Sequence, residues 1–250
     1  MRKRILTTLL LAMPLCSIAD TVSIRADYWY PMNGDPKSAT PGFMIEIAQK
    51  ALTKAGHTVD YAIMPWERAL DSVRKGTFDC VVGAYKSDAP DFVFPTHSQG
   101  IDSNVVYVKK GNTWRYTDLN SLKQVKLGGI QGYSYGDEID AFIEQNPDNI
   151  KLAYGPTALE QNIKKLAAGR LDGVLESPSV FEAKLKEMNL QGQFEPAGTI
   201  TEAEGLYIAC SPAKSGSPNI VKLIDDGTQA LRESGELATI LSKYGLKDWK

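Results

Sequence analysis

The sequence predicts an α/β protein of two similar lobes, each a mostly parallel sheet flanked by helices. Short apolar or β-branched runs alternate with helical periodicities, the alternation restarts near the middle of the chain, and extended segments enter and leave the second unit. The first unit reads as strand TVSIRADY, a helix from Phe43 to Ala55, strand VDYAI, a helix from Trp66 to Arg74, and strand FDCVVGAY. Phe43, Ile47, Ala51 and Ala55 recur every fourth residue, forming one core-facing stripe. Gly56 and Gly76 stand where left-handed helix stops are wanted.

NVVYVKKG, from Asn104 to Gly111, reads as a further strand, and a second series opens at Val125. Gly128, Gly129, Gly132 and Gly136 lie between its strand and a helix beginning near Asp137, leaving backbone N–H groups free for a ligand or serving only as loop punctuation. Their spacing matches neither the phosphate loop nor the dinucleotide fingerprint. Thr157 and Glu160 form a capping box for a helix to Ala168, stopped by Gly169, and LDGVLES follows as a strand. Ser177 and Pro178 supply an N-cap and first-turn pair for a helix through Met188. Strand GLYIACS precedes helices from Pro218 to Glu233 and from Glu236 to Tyr244, the last stopped by Gly245. Crossovers between the lobes are expected near Gln99–Ser103 and Gly198–Glu204.

Composition narrows the classes. The 250 residues are 43% hydrophobic and 23% charged, with 28 basic and 30 acidic side chains, so the chain has the composition of a globular protein without a broad basic surface for nucleic acid. Arg2, Lys3 and Arg4 precede an apolar run, Ile5 to Cys16, that is too short to span a bilayer. With Ser17 and Ala19 as small residues before Asp20, residues 1–19 read as a secretory leader cleaved after Ala19, and Leu15 disfavours lipoprotein processing at Cys16. Without the leader, 25 basic residues face 30 acidic ones. No later stretch is long enough for a membrane helix, so a soluble, exported, mildly acidic protein is expected. Cys80 and Cys210 lie in apolar strands, where they either pair or remain buried thiols.

The strings PGFMIEIAQKALTKAG and MPWERALDSVRKGTFDCVVGAYKS resemble the first lobe of the periplasmic solute-binding proteins of family 3, the polar amino-acid type that serves ABC importers. GGIQGYS resembles that family's GVQxG segment, AAGRLDGV its AxGRxDAV segment, and RESGELATILSKYGL its C-terminal signature. The ordered motifs span almost all of Asp20 to Lys250. The resemblance implies a type II periplasmic binding protein: lobe 1 from residues 20–100 plus 205–250, lobe 2 from 101–204, a two-strand hinge, and a ligand between the lobes. It further implies a periplasmic monomer that binds a small polar solute and delivers it to a membrane permease or a sensor. No cofactor, metal or nucleic acid is expected, and His57 and His97 lack companions at metal-ligand spacing.

Two positions depart from the family pattern. Asp91 stands where relatives place the Arg that grips an α-carboxylate, and Ser177 stands where they place the Asp for the ammonium. The candidate ligand-binding residues otherwise follow the strand ends. Tyr28, with Tyr30 second, is the expected aromatic platform, strand alternation directing Trp29 to the opposite face. Trp66 and Arg68 open a helix, with Arg68 either a replacement anion site or a solvated partner of Glu67 or Asp71. Gly83, Ala84 and Tyr85 offer backbone groups from one lobe, and Gln131, Gly132, Tyr133 and Ser134 offer them from the other. Asp88, Asp91 and Glu176 are acidic candidates that would favour a cationic ligand. The same family includes cyclohexadienyl dehydratases, so an alternative is an enzyme in which burial raises the pKa of Glu176 and makes it a general acid.

Overall fold

Parallel strands need a crossover connection, and this chain places a helix in most of its crossovers. The computed structural model describes residues 20–250; the expected leader lies outside the described residues. In chain order, β1 (Thr21–Ala26), α1 (Phe43–Lys54), β2 (Thr58–Ile63), α2 (Trp66–Arg74), β3 (Cys80–Ala84) and β4 (Gly100–Asp102) build most of one lobe. The second contains β5 (Val105–Lys109), α3 (Leu119–Leu122), β6 (Leu127–Ile130), α4 (Asp137–Gln145), β7 (Ile150–Ala153), α5 (Ala158–Ala167), β8 (Gly173–Glu176), α6 (Pro178–Glu187) and β9 (Phe194–Thr199). The chain then returns to the first through β10 (Glu204–Cys210), α7 (Ser217–Glu233) and α8 (Glu236–Ser242).

The sheet orders are β2-β1-β3-β10-β4 and β7-β6-β8-β5-β9. In each, four strands run in one direction and the fourth in the order runs against them. Those reversed strands, β10 and β5, are the ones on which the chain enters a lobe from the other. A strand arriving from the opposite lobe starts at the junction and runs away from it, whereas β1, β3, β6 and β8 end there. The crossings lie between Asp102 and Val105 and between Thr199 and Glu204.

Alternation along the strands buries both faces of each sheet. Ile24, Val82 and Ile208 pack with α1 and α7, while Val81 and Ala209 pack with Ala69 and Val73 of α2. In the other lobe, Tyr107 and Val174 face Ile163, Leu166 and Phe181, whereas Val106 and Leu175 face Ile139 and Phe142. Tyr107 stacks on Phe181 at 3.9 Å between ring centroids. Of the stripe on α1, Phe43, Ile47 and Ala51 are buried, but Ala55 is exposed because the helix ends at Lys54. Cys80 and Cys210, opposite each other in the β3–β10 register, form a disulfide that closes 130 residues of chain.

Two expected caps form differently. The Thr157 hydroxyl caps no backbone N–H; it accepts from Gln161 Nε2 at 2.9 Å, and Glu160 pairs with Lys164 instead. Its backbone has already turned toward helical values, with ψ at 15°, rather than the extended conformation usual at an N-cap. Ser177 occupies the N-cap position of α6 with Pro178 in the first turn, but its hydroxyl donates to Asp102 Oδ1 and leaves the helix N–H groups uncapped.

Candidate functional site

Open α/β sheets place ligands beyond the carboxyl ends of their parallel strands. Here the ends from both lobes meet. The segments after β1 and β2 face those after β6 and β7, the end of β8 and α6, and line a cavity of about 310 Å³. A smaller one of about 30 Å³ adjoins it. Asp27, Trp29, Trp66, Tyr133 and Glu176 line both, and so stand at the neck between them.

Beyond β1 the chain turns rather than extending. Trp29 and Asn33 exchange backbone hydrogen bonds of 2.9 and 3.1 Å, closing a tight loop around Tyr30 and Pro31. Strand alternation therefore no longer separates the three aromatic residues, and Tyr28, Trp29 and Tyr30 all line the large cavity. This corrects the expectation that Trp29 points away. Its indole Nε1–H reaches across the cleft to donate to Glu176 Oε1 at 3.1 Å.

Glu176 ends β8 and is 2% exposed. Its Oε1 also accepts from the Ser177 backbone N–H at 2.9 Å, but its Oε2 is buried without a partner among the described residues. Burial, reinforced by the nearby Asp102 and Asp27, pushes its pKa up to about 8, despite the two donors. Asp27 accepts a hydrogen bond from the Tyr133 hydroxyl in the other lobe, and burial pushes its pKa up to about 6. Asp88, held by the Tyr85 backbone N–H at 2.8 Å, is raised to about 6 by burial as well. Asp102 behaves likewise; burial raises it to about 6 although Tyr85 and Ser177 both donate to it. Asp27, Asp88 and Glu176 thus line the interlobe space with Asp102 buried behind them, and water exclusion makes the charged form of each costly.

The sequence candidates divide into three groups. Tyr28, Trp66, Gln131, Tyr133 and Glu176 line the large cavity, and Gly83, Tyr85, Asp88 and Ser134 line the small one, as Trp66, Tyr133 and Glu176 also do. Gly83 lies at φ 87°, and a side chain there would press on Asn33 Oδ1 at 3.2 Å and the Trp29 ring at 3.4 Å. Ala84, Gly132 and Ser177 line neither cavity: Ala84 is packed beneath the floor, Gly132 lies against Glu67 of the other lobe, and Ser177 holds Asp102. Arg68 and Asp91 lie outside the cleft. Arg68 is exposed, and Asp71, one of its expected partners, pairs with Lys75. Asp91 binds Arg74 in a two-pronged ion pair of 2.9 and 3.2 Å, which holds its carboxyl below the usual range.

Asp27 and Trp29 are cleft residues that strand reasoning leaves out. Pro31 was their signal, because a proline so soon after an apolar run announces a turn rather than a continuing strand. Among the described residues no cluster of three or more metal-ligating side chains occurs, and no helix is long and apolar enough to cross a membrane.

Two α/β lobes joined by two crossing segments, with a polar-floored cavity between their strand ends, define a two-lobed solute receptor. The chain belongs to the bacterial extracellular solute-binding proteins, family 3, whose model matches residues 21–247. It is 25% identical over 224 residues to a probable histidine-binding protein of Neisseria gonorrhoeae, covering 86% of this chain and 78% of that one. Among solved structures, it resembles a histidine kinase sensor domain with similarity to periplasmic binding proteins, with a TM-score of 0.73, 18% identity, and coverage of 92% and 99% of the two chains. It also resembles the substrate-binding protein of an ABC uptake transporter from Streptococcus pneumoniae with bound histidine, with a TM-score of 0.71, 20% identity, and coverage of 90% and 92%.

Proposed function

We propose that this solute-binding protein works in the periplasm after loss of residues 1–19, takes a small cationic solute into the interlobe cleft as a monomer, and presents the closed form to an ABC importer or a membrane sensor. The observation that carries this reading is the convergence of Asp27, Asp88 and Glu176, from both lobes, on the small inner cavity of the cleft, with Asp102 buried behind them. Their burial is costly without a cation, and a bound cation offsets that cost only when the lobes surround it. The guanidinium that relatives use for an α-carboxylate has no counterpart here, since Asp91 stands at that position and faces solvent.

A thermal-shift screen of the ligand-stripped chain against amines, amino acids, organic acids and short peptides tests the reading. A ligand at about a hundred times its Kd stabilises by roughly 2.7 kcal/mol. The expected hits are cations, and Asp27→Asn should abolish their effect. A hit confined to anions would overturn the proposal.

A dehydratase reading is favoured by one feature, the raised pKa of the buried Glu176, which suits a general acid. Prephenate carries two carboxylates, however, and three further acidic groups crowd this site. Turnover of prephenate or arogenate, lost in Glu176→Gln, would replace the receptor reading with an enzymatic one.

A further inference from the structure

We infer that the solute is an amine with an apolar or aromatic body and no carboxylate, its ammonium seated between Asp27 and Glu176 and its body in the large chamber. This rests on the reading of the interlobe cleft as the solute site. The two cavities divide the ligand. The inner one, about 30 Å³, has room for little more than a water or one small group, and Asp27, Asp88 and Glu176 all face it. An ammonium is the small group that three carboxylates select.

An independent observation points the same way. Glu176 is 2% exposed, yet its Oε2 has no hydrogen-bond partner among the described residues, although it belongs to a side chain lining both cavities. A buried acceptor left unpaired is expensive, and a ligand N–H at the neck would satisfy it. The outer chamber is ten times larger and is walled chiefly by aromatic and aliphatic side chains, including Tyr28, Trp66, Leu159 and Val180. Apolar walls favour a body that brings no charge of its own.

Among the described residues the chamber has one cationic side chain, and its pairing argues against a ligand carboxylate. Lys184 lines it, but its ammonium is bound to Glu187 at 2.6 Å and lies 5.2 Å from the centre of the Tyr28 ring. Glu187 already neutralises that ammonium, so a ligand carboxylate would enter beside a second carboxylate with no cation left uncompensated. An amine without a carboxylate leaves the pair intact, and Lys184 covers the ring that closes the chamber's edge.

Three probes of one shape isolate the point: 2-phenylethylamine, phenylalanine and 3-phenylpropionate, titrated calorimetrically into the ligand-stripped chain at pH 7.5. The expected order is the amine first, phenylalanine at least tenfold weaker, and no measurable binding of the acid. Asp27→Asn and Asp88→Asn should each weaken the amine at least tenfold, while Arg68→Met, at an exposed position outside the cleft, should leave it within about threefold. Two substitutions on separate loops keep the test informative if either variant fails to fold, and the wild-type order needs neither. Phenylalanine binding as tightly as the amine, with that parity lost in Lys184→Met, would overturn the inference in favour of an amino-acid site. If none of the three binds while another cation stabilises the chain, the amine class falls and the receptor reading stands. If no cation of any class binds, both fall.

Discussion

Glu176 is where sequence, burial and function meet in one side chain. Its folded pKa of about 8 lies above the ordinary 4.5, with burial the main cause, so the folded state holds a proton that the unfolded state releases. Stability from this group is therefore fully present below about pH 4.5 and is lost as the pH rises toward 8. The groups facing it act in the same direction over a lower range, since Asp27, Asp88 and Asp102 are each raised from 3.8 to about 6. Glu176→Gln keeps an acceptor for Trp29 and Ser177 while removing the ionisation. Urea unfolding at pH 5, 6.5 and 8 should show the ligand-free variant losing less stability than wild type over that range. By pH 8 the gap should reach a few kcal/mol, each pKa unit being worth about 1.36 kcal/mol. Parallel profiles would mean that Glu176 is ionised in the folded protein. The sequence offered this residue as an acidic candidate, but its partners were not legible. Trp29 reaches it only because the chain turns at Pro31, and Asp102 approaches through Ser177, a contact between segments 75 residues apart.

Elements were legible in proportion to the regularity of their pattern. α1, α2 and α7 carry long amphipathic stripes and β3, β5 and β10 carry apolar runs, so periodicity places them within a few residues. β4 has only three residues, β7 has four, and β9 is interrupted by Pro196 and Gly198, so none shows enough period to register. Their pairing comes from neighbouring strands rather than from their own composition. The contact between α1 and α7 shows what composition alone conceals. Gly227 lies inside α7, where glycine ordinarily weakens a helix by about 1 kcal/mol relative to alanine. It is there because a side-chain carbon would stand 2.3 Å from Ala51 Cβ and 2.9 Å from Ala51 Cα. Gly227→Ala should destabilise the protein by about 1 to 3 kcal/mol, as overpacking of a tight interface does. The exchange Ala51→Gly with Gly227→Ala should recover much of that loss, because the contact is one carbon facing one carbon. Denaturant midpoints of the two variants measure it, and a single variant as stable as wild type would show that the helices can separate at little cost.

Across the whole molecule, the cleft balances attraction against repulsion. Tyr133 and Trp29 tie the lobes by donating to Asp27 and Glu176, each hydrogen bond starting in one lobe and ending in the other. Closure also brings carboxylates from both lobes into a space where ionisation is costly, and that term opposes the ties. A cation removes the opposition and leaves the ties, which is how a ligand without long arms can bias a two-lobed protein toward closure. Tyr133→Phe separates the two terms, because it keeps the ring edge against Trp29 while deleting the donor to Asp27. A hydrogen bond to a charged group contributes about 1.5–3 kcal/mol, so the closed fraction of the ligand-free protein should fall about tenfold or more relative to the open one. Apparent ligand affinity should fall with it, since binding draws on the closed population. Distances between spin labels placed on α2 and α5 report the populations directly. If that distribution is unchanged in Tyr133→Phe, then carboxylate repulsion rather than the Tyr133 tie sets the lobe equilibrium, and raising the pH from 5 to 8 should open the wild-type protein instead.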